Sequence, residues 1–92
     1  MAFGSYIRHK REEAGIPLRE FAQRIDISPA YWSRIEREME KPPKNELMQK
    51  AARVLGLDLD EVFIEASRLP PDMQQNVRGV VQAYRKFQQS ED

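Results

Sequence analysis

Residues 18–37 read LREFAQRIDISPAYWSRIER, and the spacing within this stretch decides the fold. Leu18, Phe21, Ala22 and Ile25 fall at i, i+3, i+4 and i+7, one face of a short helix. Pro17 suits its start, because proline lacks an N–H that the first turn would leave unpaired anyway. Asp26-Ile27-Ser28-Pro29 then predicts a tight turn, and Asp is a residue that tolerates left-handed backbone. Ser28 is a favoured N-cap, and Pro29 takes the first position of the next helix. That helix buries Trp32 and Ile35 and runs to about Arg37.

Outward from this pair the helical period continues, and no run alternates strictly enough to suggest a strand. Phe3, Ile7 and Ala14, with Tyr6 and the Lys10 stem, give a first helix that stops at Gly15. Glu38 to Pro43 reads as a loop. A fourth helix, Asn45 to Leu55, buries Leu47, Met48, Ala51, Ala52 and Leu55 and ends at Gly56. Asp58 and Glu61 have the spacing of a capping box, opening a fifth helix with Leu59, Val62, Phe63 and Ala66 inward. Pro70-Pro71 breaks it, and a sixth helix is predicted from about Asp72. The expected architecture is all-α, with residues 1–69 as a five-helix unit and residues 70–92 as an added C-terminal helix.

In that last helix Met73, Val77, Val80, Tyr84 and Phe87 are spaced as a heptad seam, which Val81 widens. Gly79 inside it costs about 1 kcal/mol relative to Ala, so the helix calls for a packing partner. That partner is either its own domain or a second copy.

The chain has 92 residues, enough for one modest core, and its 15 basic and 15 acidic residues cancel. Any strongly charged face must therefore arise by segregation. There is no cysteine, no apolar run long enough to span a membrane, and an N-terminus that turns polar too early for a signal peptide. These features suit the cytoplasm. His9 is the single histidine and has no second ligand at metal spacing. No nucleophile–base pair or glycine-rich phosphate loop is evident, so no catalytic, metal or cofactor site is expected.

Two short helices about a three- or four-residue turn are one way to present a helix to the DNA major groove, although helical hairpins are common in all-α proteins. The residue types narrow the choice. IRHKREEAGI, REFAQRIDIS, SPAYWSRIERE and KPPKNELMQKAARVLGLDLDEVF, in that order, resemble the helices of the lambda-repressor and Cro-like (XRE) family of helix-turn-helix regulators. The resemblance covers about residues 3 to 66. It departs from the pattern at Leu18, where many relatives have a phosphate-binding glutamine, and at Asp26, where they have a turn glycine. Glu38 replaces the glycine that usually ends the recognition helix, Lys44 the serine that usually caps helix four, and Trp32 a leucine.

The resemblance implies base contacts from the first, second and sixth positions of the third helix, here Pro29, Ala30 and Arg34. Pro29 and Ala30 offer only apolar contact, whereas Arg34 carries the fork that matches guanine O6 and N7. Tyr31 either touches a phosphate or base edge or packs on helix two, and Ser33 shares the exposed face. Ser28, Arg37, Lys41, Lys44 and Arg19 are candidates for the phosphate backbone, each with ordinary surface exposure as the alternative. Trp32 is expected in the core. Arg11 and Glu36 match a pair that in relatives bridges helix one to the recognition helix, and such a pair fixes orientation more than it adds stability.

The implied function is a sequence-specific regulator of double-stranded DNA, a repressor acting as a homodimer on a pseudo-palindromic operator through the Met73–Phe87 seam. The same fold also serves as a restriction-modification controller or as an antitoxin held by a toxin. A different class is a protein-interaction module that has lost DNA binding, which zero net charge, Leu18 and Glu38 favour and which Arg34, Arg37, Lys41 and Lys44 oppose.

Overall fold

The computed structural model describes residues 2–90, and within them the chain forms helices and no strand. In order these are α1 (Phe3–Glu13), α2 (Leu18–Arg24), α3 (Pro29–Glu36), α4 (Asn45–Leu55), α5 (Leu59–Glu65), α6 (Pro71–Gln74) and α7 (Val77–Ser90). α3 packs between α1 and α2, while α5 joins α4 to α1. Trp32, Phe21, Phe63, Ile7, Ile25, Ile35, Met48 and Val62 are fully buried and form one core. The rings of Phe21 and Trp32 meet at 5.2 Å and a 44° tilt, within the centroid range of favourable aromatic pairs.

The first five helices end in the same way. Each places one residue in left-handed backbone: Gly15, Asp26, Glu38, Gly56 and Ser67. The next residue's N–H then reaches back to a carbonyl in the last turn, as in Ile16 to Arg11, Ile27 to Ala22, Met39 to Arg34, Leu57 to Ala52 and Arg68 to Phe63. This is the Schellman geometry, which satisfies carbonyls that a helix end leaves free. Three of the five ends use a non-glycine residue, at a steric cost of about 1 kcal/mol each. Glu38 recovers part of that cost, because its carboxylate accepts from the Ser5 backbone N–H at 3.3 Å and the Ser5 hydroxyl at 3.4 Å. It thereby caps the first turn of α1, whose own N-cap residue, Ala2, has no side-chain acceptor.

Several expectations are corrected. Asp58 stands at the N-cap of α5 but makes no side-chain capping bond, so the predicted capping box is absent. Ala14 is the exposed C-cap of α1, and Leu47 and Leu55 are only half-buried at the edge of the α4 face. The predicted sixth helix is two helices, since α6 ends after one turn and α7 begins at Val77. Met73 therefore belongs to α6. Asn76 opens α7 by accepting from the Gly79 N–H at 3.2 Å. Gly79 thus lies in the first turn, and a Cβ there would meet the Asn76 side chain at 2.4 Å.

Arg68 fastens α5 to the loop before α4. It donates to the carbonyls of Pro42 (2.9 Å) and Pro43, and touches Asn45 Oδ1 and Met48 Sδ. Gln74 ties α6 to the same place, accepting from Asn45 Nδ2 at 2.8 Å and donating to the Leu69 carbonyl at 2.6 Å. α7 packs chiefly on α6, and the molecule measures 50 × 24 × 23 Å. Val77, Val81, Tyr84 and Phe87 are 47–60% exposed along α7.

Candidate nucleic-acid interface

The inner side of α3 is fixed at both ends. At its start the Ser28 hydroxyl accepts from the Tyr31 N–H at 3.1 Å, and Pro29 takes the first helical position. At its end α1 presses against it so closely that a Cβ on Gly4 would sit 2.3 Å from the Ile35 carbonyl and 2.8 Å from that of Glu36. Here glycine is required by space.

Between these ends lies a buried polar cluster. Glu36 and Arg11, 4% and 7% exposed, pair in bidentate fashion, with Arg11 Nε to Oε2 at 2.7 Å and Nη2 to Oε1 at 2.9 Å. Arg11 Nη1 donates to the Ile16 carbonyl at 2.8 Å, and the Trp32 indole N–H donates to Glu36 Oε2 at 2.6 Å. The carboxylate holds the Arg11 pKa above its ordinary value through this bond, against the opposing effect of burial. The expected bridge from helix one to α3 is present. Trp32 adds a third member to it, since Trp32 and Glu36 are four apart on one helix and an indole N–H needs a partner when buried.

With that side committed, α3 turns its remaining residues outward. Ala30 and Arg37 are exposed, and Pro29, Tyr31, Ser33 and Arg34 are half-exposed. The Tyr31 ring also packs against the core and lies 5.8 Å beneath the Arg34 guanidinium, a cation–π distance. Arg34 Nε donates to Glu40 Oε1 at 3.2 Å, a contact between α3 and the following loop that helical spacing does not predict. Arg37 Nε reaches back to the Ser33 carbonyl at 3.4 Å.

Two concavities flank this face. On one side an open hollow is lined by Tyr31, Lys41, Lys44 and Arg68 among others, which brings both lysines beside the start of α3. On the other side Ser33 and Arg37 share a depression with Leu18 and Arg8. Arg8 was not a candidate; it pairs with Glu12 at 3.5 Å on the exposed side of α1. Arg19 is exposed in the first turn of α2, next to Leu18. Leu18 itself packs against the core, and the N-cap residue Pro17 makes no side-chain bond. Lys44 is the N-cap residue of α4, likewise without a side-chain bond, which leaves its ammonium exposed. The two nearby carboxylates are engaged, Glu38 by Ser5 and Glu40 by Arg34. Among the described residues no group of three or more His, Cys, Asp or Glu side chains is placed to hold a metal ion, and no helix is long and apolar enough to cross a membrane.

Residues 7–62 match the helix-turn-helix family. An uncharacterized HTH-type transcriptional regulator of Mycobacterium tuberculosis is 33% identical over 78 residues, 85% of this chain and 55% of that protein. The chain thus spans about half the length of the curated relatives it matches. The clp gene regulator ClgR of Corynebacterium glutamicum superposes with a TM-score of 0.63 at 29% identity, over 89% of this chain and 83% of that one. SinR, the master regulator for biofilm formation, solved in complex with DNA, superposes with a TM-score of 0.61 at 28% identity, over 65% of this chain and 95% of that one.

Proposed function

The chain belongs to the lambda-repressor and Cro-like (XRE) family of helix-turn-helix regulators, and from that premise we propose that it binds double-stranded DNA sequence-specifically as a homodimeric repressor, with α3 as the recognition helix. The observation that carries this reading is the division of α3 into two sides. The Glu36 side is locked to Arg11 and Trp32, which leaves Arg34 on the other face with its side chain 42% exposed. An arginine so presented matches the two acceptors that guanine shows in the major groove. Lys41, Lys44, Arg37 and Arg8 flank that face and supply phosphate contacts, with Arg19 and the Ser28 hydroxyl at its edge. With zero net charge the phosphate attraction rests on this local cluster and is weak on random sequences. A regulator of this kind works in the cytoplasm beside its DNA.

The dimer is inferred from α7. Arg78 and Lys86 fall on other sides of the helix from the stripe of Val77, Val80, Tyr84 and Phe87, while Arg85 borders it with its guanidinium 5.9 Å from the Tyr84 ring, so a second copy can meet the stripe with its cations at the rim. Exposed apolar stripes of this size usually mark interaction sites. The same stripe supports the second reading, in which a different protein docks on α7 in place of a second copy.

The test is selection of bound duplexes from a random pool at moderate salt. The proposal expects a two-fold symmetric consensus containing a guanine in each half-site. An asymmetric consensus speaks against the dimer, and absence of enrichment by folded protein speaks against DNA reading altogether.

A further inference from the structure

We propose that Glu40 is a specificity-determining residue that holds Arg34 in its reading position; the inference rests on α3 being the recognition helix. Glu40 lies in the loop after α3, six residues from Arg34, and its Oε1 accepts from Arg34 Nε at 3.2 Å. The contact engages Nε and leaves Nη1 and Nη2, the end-on fork, out of that bond. From below, the Tyr31 ring sits 5.8 Å from the guanidinium carbon. A flexible arginine is thus held between a carboxylate and an aromatic face before any DNA arrives, although Arg34 and Glu40 are 42% and 41% exposed.

An exposed ion pair adds little stability, so its presence calls for another account. An arginine on a recognition helix has two targets of similar reach, a guanine edge and a backbone phosphate, and only the first carries sequence information. A phosphate on Arg34 brings a second anion near the Glu40 carboxylate, whereas a guanine edge is uncharged and brings none. Glu40 therefore penalises the uninformative contact more than the informative one, which is how specificity is gained by opposing the wrong partner. Pre-ordering the side chain also lowers the entropy lost when it docks.

The experiment measures affinity for the selected duplex, for the same duplex with the Arg34-dependent base pair replaced, and for random DNA. Wild type, Glu40→Gln, Arg34→Ala and the double variant are compared. Glu40→Gln is expected to lower discrimination at that one base pair by about fivefold or more, out of the roughly tenfold to hundredfold that a bidentate contact supplies. Discrimination at other positions stays unchanged, random DNA binds more tightly, and in the Arg34→Ala background Glu40→Gln no longer alters discrimination. If Glu40→Gln instead changes all duplexes by one common factor, or acts equally without Arg34, Glu40 is only a repelling surface charge and the proposal is overturned. Failure of wild type to prefer any duplex sinks the DNA reading itself, an outcome separate from these. Both side chains are about two-fifths exposed, so the fold of each variant is checked by its unfolding midpoint, which should barely move.

Discussion

Trp32 and Glu36 stand one turn apart on α3, joined by a 2.6 Å hydrogen bond from the indole N–H to the oxygen that also accepts from Arg11 Nε at 2.7 Å. That oxygen is the point at which the orientation of α3 is set, because it links the helix's own core residue to α1. Rotating α3 about its axis would break these bonds inside the protein, where unpaired groups are costly. The outward direction of Arg34 follows from this fixed inner side.

Glu36→Ala leaves the Arg11 guanidinium and the indole N–H buried without their acceptor, and is expected to cost roughly 3–5 kcal/mol. Replacing both charges, as in Arg11→Met with Glu36→Leu, removes the uncompensated ion and should cost much less than the single change. Denaturant unfolding of the single and double variants checks this. A Glu36→Ala loss below about 1 kcal/mol would show that the cluster does not fix α3.

Trp32→Ala should destabilise by roughly 3–5 kcal/mol, since the side chain is fully buried. Trp32→Leu, though it restores the residue usual in the family, removes indole volume beside Phe21 and a donor to Glu36. It should cost about 2 kcal/mol, more than the resemblance alone suggests. A variant that stays fully stable would place the indole outside the core.

The helices of the body were legible because apolar spacing, Ser28-Pro29 and the two glycines at helix ends act locally. The Arg11–Glu36 bridge was legible only through resemblance, since the partners lie 25 residues apart. Glu38 capping α1 and Arg68 clamping the loop before α4 join residues 33 and 26 apart, and no local pattern announces such contacts. The Asp58 box failed although its spacing is right, because spacing permits a capping bond without forming one. The break between α6 and α7 has a local signal in Asn76, a good cap after which the chain begins a new helix.

Tyr6 is 6% exposed, and its buried hydroxyl lies by Glu61 with no hydrogen-bond partner in range among the described residues. Tyr6→Phe removes that unsatisfied group and should stabilise the fold by about 1 kcal/mol. Burial, then the carboxylates of Glu61, Glu65 and Asp58, pushes the phenol from 10.0 up to about 12. Its raised pKa favours the neutral form in the fold, so this contribution is complete below pH 10 and is lost as pH rises from 10 toward 12. Wild type should therefore lose stability faster than Tyr6→Phe across that interval. Parallel curves would remove Tyr6 from the account.

A chain ending at Asn76 keeps α6 and the bonds of Gln74, so it should unfold cooperatively and sediment as a monomer while the full chain is a dimer. Val80→Asp with Tyr84→Asp in the full chain should give the same monomer, since Tyr84 is 56% exposed and Val80 half-exposed within one chain. Dimers that survive both changes would move the interface elsewhere.

Lys41→Ala should weaken binding to all duplexes alike and reduce the salt slope by about one unit, as loss of one phosphate contact requires. A loss confined to the selected duplex would give Lys41 a base instead of a phosphate.

The central claim is that α3 reads DNA through Arg34, and it is tested most directly by titrating wild type and Arg34→Ala against the selected duplex and each of its single-base variants. The account predicts that Arg34→Ala loses about 1–3 kcal/mol on the selected duplex and becomes indifferent to one base pair, a guanine, in each half-site. Equal losses on selected and random DNA, with every base preference retained, would contradict it.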